Sequence, residues 1–452
     1  METRGVCSKK TQHNKSGRAG LRSSPRCGRE AGKNKPGGCD AGLPHHVMLE
    51  IVSFLDTRSI VRGRCLSRAF NSDAPALVKT LDFSMGQQSP SAETIKLFSE
   101  VRQVNLNGNR DLVHAVVEGL RGWGSSLRLG VSRHRSIKEQ EEPLSKAATT
   151  ALCALPLTEL DMNRVVVEFP RLLRMHAWRT LRRLVIRDGL LEDGSLESLF
   201  KSIPEGPLPL RHLDLSRNLH GGYDAVSPFA DALRSFPDLE CLELSACRIV
   251  HNSGNLIVRT LLEGACPELK ALNLSLNFFT DGLLEFLCEG LGKPGHGLLN
   301  LQKLGFGSRV TGDEMITCFD SIGEALAAGG LPKLDFLLLQ GDVRPTEASE
   351  VLSLLSGAGC PMLEVVKLER SPRSSHGEDE YAAEEVAQCL FQLVLSDHPH
   401  LREVHVLGMA LHEGMDKDQE AGRASAFYRA TNDSTWHDLA VASQARGIQV
   451  FV

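Results

Sequence analysis

Aromatic residues are scarce, at 5% of a 452-residue chain that holds only three Trp and three Tyr. A composition that is 42% hydrophobic yet poor in rings suits thin repeated layers filled by aliphatic side chains. No apolar run approaches the roughly 20 residues that span a bilayer. Residues 1–10 are charged and polar with no apolar stretch, so no secretory signal is expected, and the chain reads as soluble, in the cytoplasm, the nucleus or both. The twelve cysteines include no C-x-x-C pair, and Cys241 and Cys247 have no second pair nearby. Disulfides and zinc are therefore not expected, and the thiols read as reduced and packed. The histidines are scattered, with His45, His46, His398 and His400 read as surface or turn residues, so no metal is expected. A Gly-rich phosphate loop, G-x-S-x-G and H-E-x-x-H are all absent, which argues against an enzyme and leaves no cofactor to place.

What the chain does have is a frame, L-x-x-L-x-L-x-x-N or a near relative, returning about every 30 residues from Val101 to Met409. The clearest copies are Leu210, Leu213, Leu215, Asn218 and Leu269, Leu272, Leu274, Asn277; between them, Leu239, Leu242 and Leu244 lead to Cys247 in the place of Asn. Weaker copies begin at Val101, Leu157, Leu181, Leu301, Leu334, Leu363 and Leu401, and Leu127 opens a decayed one. A period of two sends Leu272 and Leu274 to one face and Ala271, Asn273 and Ser275 to the other. The Asn fits a turn in which its amide bonds to backbone groups. Each gap carries apolar residues at helical spacing, such as Leu256, Val258, Leu261 and Leu262, or Leu283, Leu284, Leu287 and Leu291. One strand and one helix per repeat follow.

The charge is uneven. Residues 1–38 hold ten Lys or Arg against two Glu, so they carry +8 and the remainder −13. This Gly-, Ser- and Lys-rich tail reads as disordered and solvated, with no nucleic-acid role beyond weak electrostatic attraction. Residues 43–70 then break the repeat pattern. Pro44 suits the first turn of a helix, and Val47, Met48, Ile51, Phe54 and Leu55 recur at three and four to give one apolar face. Asp56 and Thr57 interrupt that helix, and a second one carries Ile60, Val61, Leu66 and Phe70. So small a unit buries too little area to stand alone and needs a partner. A helix pair capping the solenoid would show the same pattern.

This segment resembles an F-box: it opens with Leu43-Pro44, continues through Ile51 and Phe54-Leu55, and ends on an aromatic after a Cys- and Arg-containing helix. Phe70 stands where that family usually has Trp, Gly63 and Cys65 replace aliphatic residues, and no Glu follows Leu-Pro. The repeats resemble the ribonuclease-inhibitor type of leucine-rich repeat. Cys266-Pro267-Glu268-Leu269 and Cys360-Pro361-Met362-Leu363 are similar to the repeat junctions of F-box leucine-rich-repeat proteins. The resemblance implies an α/β leucine-rich-repeat horseshoe with a parallel concave sheet and outer helices, preceded by a small all-α F-box-like module and the disordered tail. Its organisation would be 1–40 tail, 41–77 F-box-like module, 78–410 repeats and 411–452 C-terminal cap. It further implies the non-catalytic substrate-recognition subunit of an SCF-type ubiquitin ligase. Leu43, Pro44, Ile51, Phe54, Leu55, Ile60 and Leu66 would meet a Skp-type adaptor and, through it, a cullin scaffold. A leucine-rich-repeat scaffold or inhibitor with no ubiquitin role is the competing reading.

The middle outward position of each strand gives Asn105, Asp161, Val185, Asp214, Glu243, Asn273, Gly305, Leu338, Lys367 and His405. From these, a partly basic segment of an unidentified protein substrate is expected to lie across Asp161, Asp214 and Glu243, with an apolar anchor at Phe336 and Leu338. A Ser-rich and then acidic insertion at 371–380 lengthens one repeat and reads as a surface loop. The frame stops after Met409, and an apolar end at 448–452 behind a helix reads as a cap on the last repeat.

Overall fold

Period-two alternation puts every second strand residue against the helices, and this one rule organises the chain. The computed structural model describes residues 78–83, 92–96, 98, 100–107, 110–120, 126–132, 152, 154–165, 176–189, 200–201, 203–204, 206–218, 223–308, 319–341, 345–356, 360–370, 382–396, 398–407 and 434–451. The tail, the F-box-like segment at 43–70 and the 371–380 insertion lie outside the described residues.

The strands are β1 (Thr80–Phe83), β2 (Gln103–Asn107), β3 (Leu127–Ser132), β4 (Leu157–Asn163), β5 (Arg183–Arg187), β6 (His212–Asp214) and β7 (Cys241–Glu243). They continue as β8 (Ala271–Asn273), β9 (Lys303–Phe306), β10 (Phe336–Gly341), β11 (Val365–Arg370), β12 (Glu403–Leu407) and β13 (Gln449–Phe451). All are parallel, and each pairs with its sequence neighbours, so the sheet is open with β1 and β13 at its edges. The helices are α1 (Ala92–Ile95), α2 (Arg110–Gly119), α3 (Tyr223–Leu233), α4 (His251–Leu262), α5 (Asp281–Leu291), α6 (Phe319–Ala327), α7 (Pro345–Leu355), α8 (Ala382–Leu395) and α9 (Ser434–Arg446). A 3₁₀ turn, His176–Arg179, stands between β4 and β5. The chain is thus an α/β solenoid of leucine-rich repeats, with a described helix in every crossing from β6 to β13.

Leu213, Leu242, Leu272, Leu304 and Leu337 occupy one register row and are buried. They join Leu233, Leu261, Leu287 and Leu326 from the helices in one continuous core. Burial of each such side chain contributes about 1.5–3 kcal/mol, and packing only against adjacent layers is how a solenoid holds. The few rings fill irregular gaps: Phe279 stacks on Phe306 at 5.4 Å, and Phe200 meets Phe229 at 4.6 Å.

The Asn of the frame closes the turn after the strand. Asn277 is buried; its Nδ2 donates to Leu244 O at 2.9 Å and Leu274 O at 2.8 Å, while its Oδ1 accepts from Cys247 N at 2.9 Å and Ile249 N at 3.1 Å. Asn218 repeats the scheme one layer earlier, accepting from Gly189 N and donating to Leu215 O and Ile186 O. Cys247 substitutes for the amide: its thiol donates to Leu215 O at 3.2 Å. Just before this position Arg164, Asp188, Arg217, Ala246 and Leu276 all have φ between 52° and 64°. That left-handed conformation costs a non-glycine residue about 1–2 kcal/mol, and the ladder of amide bonds holds it in place.

Two ends of the sheet extend past the sequence frame. β1 precedes Val101, where Val78, Leu81 and Phe83 hold the frame spacing with two leucines replaced, and Leu81 pairs with Val104. The expected cap is partly a strand: Val450 pairs with Val404, and β13 adds to the sheet behind α9.

Candidate binding face

The sheet face away from the helices carries three rows of outward residues, and the register identifies them. The middle row runs Asp82, Asn105, Gly130, Asp161, Val185, Asp214, Glu243, Asn273, Gly305, Leu338, Lys367, His405 and Phe451. All the middle positions read from the sequence fall in this row. Asp82, Gly130 and Phe451 are additions.

Asp161, Asp214 and Glu243 come together over β4 to β7, but they sit unlike one another. Asp214 is fully buried and forms an ion pair with Arg187, which stands 48% exposed above it. Its other oxygen accepts from Ser216 N at 3.0 Å. The hydrogen bond from Arg187 to Asp214 raises the Arg187 pKa above its ordinary value, against the opposing effect of burial. Asp214 therefore faces inward partners and serves the sheet itself. Burial pushes the carboxyl of Asp161 up from the ordinary range, with Arg183 and Arg187 pulling the other way. Burial likewise raises Glu243, against a hydrogen bond from Asn273. His212, in the next row between Arg183 and Cys241, is pushed down to about 4 by burial and then by Arg183. The Cys241 thiol beside Glu243 is pushed up to about 12, chiefly by burial, and stays protonated. Val185 is buried beneath this polar group.

Phe336 and Leu338 lie two strands beyond Asn273, on β10, and both are partly exposed. Val365 and Lys367 stand beside them on β11 by register. The Lys367 ammonium lies 5.9 Å from the Phe336 ring centroid, a cation–π contact. Further on, His405 stacks on Phe451 at 4.2 Å and bonds to Glu403 at 3.0 Å. The carboxylates and the aromatic patch therefore share one face but form separate regions along it.

At the other end a hollow of about 440 Å³ opens over β2 to β5, lined by Gln103, Asn105, Leu106, Arg128, Leu129, Gly130, Val131, Ser132, Glu159, Asp161, Asn163 and Arg183. Arg128 pairs with Glu159 at 3.1 Å along its rim. Of the residues expected to bind a substrate, only Asp161 lines it. The decayed copy opening at Leu127 hides it: counted from Leu127 the frame puts Val131 in the middle row, and a register shift between Leu127 and Arg128 brings Gly130 there instead. The adaptor-facing residues Leu43, Pro44, Ile51, Phe54, Leu55, Ile60 and Leu66 lie outside the described residues.

Among the described residues no helix is long and apolar enough to cross a membrane, and no group of three His, Cys, Asp or Glu side chains could hold a metal ion. No family model and no curated protein matches the chain. Among solved structures it is similar to the TLR13–ssRNA13 complex, at 14% identity and a TM-score of 0.38, covering 74% of this chain and 42% of that one. The chain thus spans about two fifths of that protein's length. It is also similar to the yeast Rad7 and Elc1 complex, at 16% identity and a TM-score of 0.43, covering 70% of this chain and 75% of that one.

Proposed function

We propose that this chain is the substrate-recognition subunit of an SCF-type ubiquitin ligase, its F-box-like segment docking on a Skp-type adaptor and its repeats holding a target protein. The supporting observation is an adjacency: the unbroken F-box-like run at 43–70 directly precedes a repeat sheet whose outward face carries a hollow and a separate, partly exposed apolar patch. Chemistry would be done elsewhere in the complex; the chain would supply affinity and placement. Ile51 and Leu55 are the residues on which docking should turn, since each buried aliphatic side chain contributes about 1.5–3 kcal/mol and hot-spot losses concentrate in a few such anchors. The full chain is expected to retain a purified Skp-type adaptor, and Ile51→Ala with Leu55→Ala is expected to lose it. Failure of the wild-type chain to retain the adaptor would leave the scaffold or inhibitor reading in its place.

A further inference from the structure

The middle row contains two glycines, Gly130 on β3 and Gly305 on β9, and they differ in one respect. At Gly305 the space of a missing side chain is already taken, since a Cβ there would meet Asn273 Oδ1 at 2.7 Å. At Gly130 a Cβ would meet Asn105 Oδ1 at 3.2 Å and Val104 O at 3.9 Å, with the remainder opening into the hollow. Gly130 is thus the floor of a polar depression whose two row neighbours are Asn105 and Asp161.

Both walls present oxygen. Asn105 Oδ1 leans toward Gly130 while accepting from Gln103 Nε2 at 3.3 Å. Among the described residues Asp161 makes no hydrogen bond or ion pair. Of the nearby cations Arg128 is turned to Glu159 and Arg187 to Asp214, while Arg183 of β5, beside Glu159, lines the far side of the hollow and acts on Asp161 through its charge without a hydrogen bond to it. An anion over Gly130 would face two oxygens, and an apolar group would leave Asp161 further desolvated without a partner. A cation would face complementary acceptors and supply the missing one.

We propose that the hollow over Gly130 receives a cationic side chain, arginine or lysine, from an extended segment of the target protein, seated between Asn105 and Asp161. This rests on the reading of the repeat sheet as the target-binding face. The side chain donates to the Asp161 carboxylate and Asn105 Oδ1, while Arg128 and Glu159 hold the rim.

The probe is an array of ten-residue Gly/Ser peptides that carry Arg, Lys, Gln, Glu, phosphoserine or Leu at one position, incubated with the full chain. Arg or Lys peptides are expected to be retained about tenfold better than Gln, the margin of one charge-assisted hydrogen bond. Asp161→Asn should erase that preference, Asp161→Lys should transfer it to Glu, and Gly130→Leu should abolish retention by filling the hollow. If Gly130→Leu fails to fold, the isosteric Asp161→Asn carries the test. Preference for Glu, phosphoserine, Gln or Leu, no preference at all, or a basic preference that survives Asp161→Asn would each overturn the proposal. Adaptor retention is read separately on the same preparations. Its loss with basic selection intact defeats the ligase reading alone, and its presence without basic selection defeats the hollow alone.

Discussion

Around β5 to β7 charged outward side chains bond to one another, whereas on β10 and β11 several outward side chains are apolar and left partly exposed. In the first region Arg187 covers Asp214, Ser216 N occupies its second oxygen, and Cys241 and Asn273 flank Glu243. In the second, Phe336, Leu338 and Val365 make few demands on the fold beyond the contact with Lys367. The lesson is that a charged residue in an outward position can be part of the sheet's own construction. A partly exposed ring there has no such duty and is the better sign of something that binds. Asp161 is the exception in the polar stretch, and it alone of the three carboxylates borders the hollow.

The largest expected effect comes from the joint between the two regions. Asn277→Ala would orphan Cys247 N, Ile249 N and two carbonyls at once. It is expected to cost about 3 kcal/mol or more in urea denaturation, since one buried unsatisfied group costs about 1–3 kcal/mol. A loss under about 1 kcal/mol would show that the amide ladder is dispensable. Next comes the contrast itself. Asp214→Ala is expected to cost about 2 kcal/mol, the low end for a buried ion pair because Arg187 is half exposed. Phe336→Ala with Leu338→Ala should cost less than that, because both side chains already meet water. Equal losses in the two variants would erase the distinction.

A last test sharpens the polar region by pH. Between about pH 6.5 and about pH 4 the unfolded chain binds a proton at residue 212 that the folded chain refuses. Stability due to this residue is therefore complete above pH 6.5 and is lost as pH falls toward 4. Asp161 and Glu243 act in the opposite sense within the carboxylate range, because the folded state holds their protons more tightly. His212→Gln is expected to flatten the fall of denaturation midpoint across that window; an unchanged slope would mean His212 titrates normally.

The repeats were legible because their physics is local: strand alternation, the turn Asn and the helical spacing after it can each be read within a dozen residues. Register followed, since aligning the frame aligns the rows. The ends were harder. β1 carries the frame in the substituted form Val78, Leu81 and Phe83, and β13 pairs through Val450, so neither displays the leucines that mark the clear copies. The binding face was half legible. Row membership could be counted out, but that Asp214 is buried under Arg187 depends on the length and direction of a side chain one strand away. The hollow was missed for the plainest reason: it is marked by an absent side chain, at Gly130, in the repeat whose leucine pattern is weakest.

Arg446, in the last turn of α9, sends its guanidinium to Val394 O, Ser396 O and His398 O at the exit of α8. A cation there also complements the carbonyl-rich end of that helix. One residue along, Gly447 turns at φ 67° and the chain enters β13. Fraying at this edge is consequently not a strand-by-strand affair. Releasing the guanidinium would loosen the end of α8, the tail of α9 and the final strand together, so amide hydrogens in all three should exchange with one rate. The edge of the sheet behaves as a single buckle that is either fastened or open.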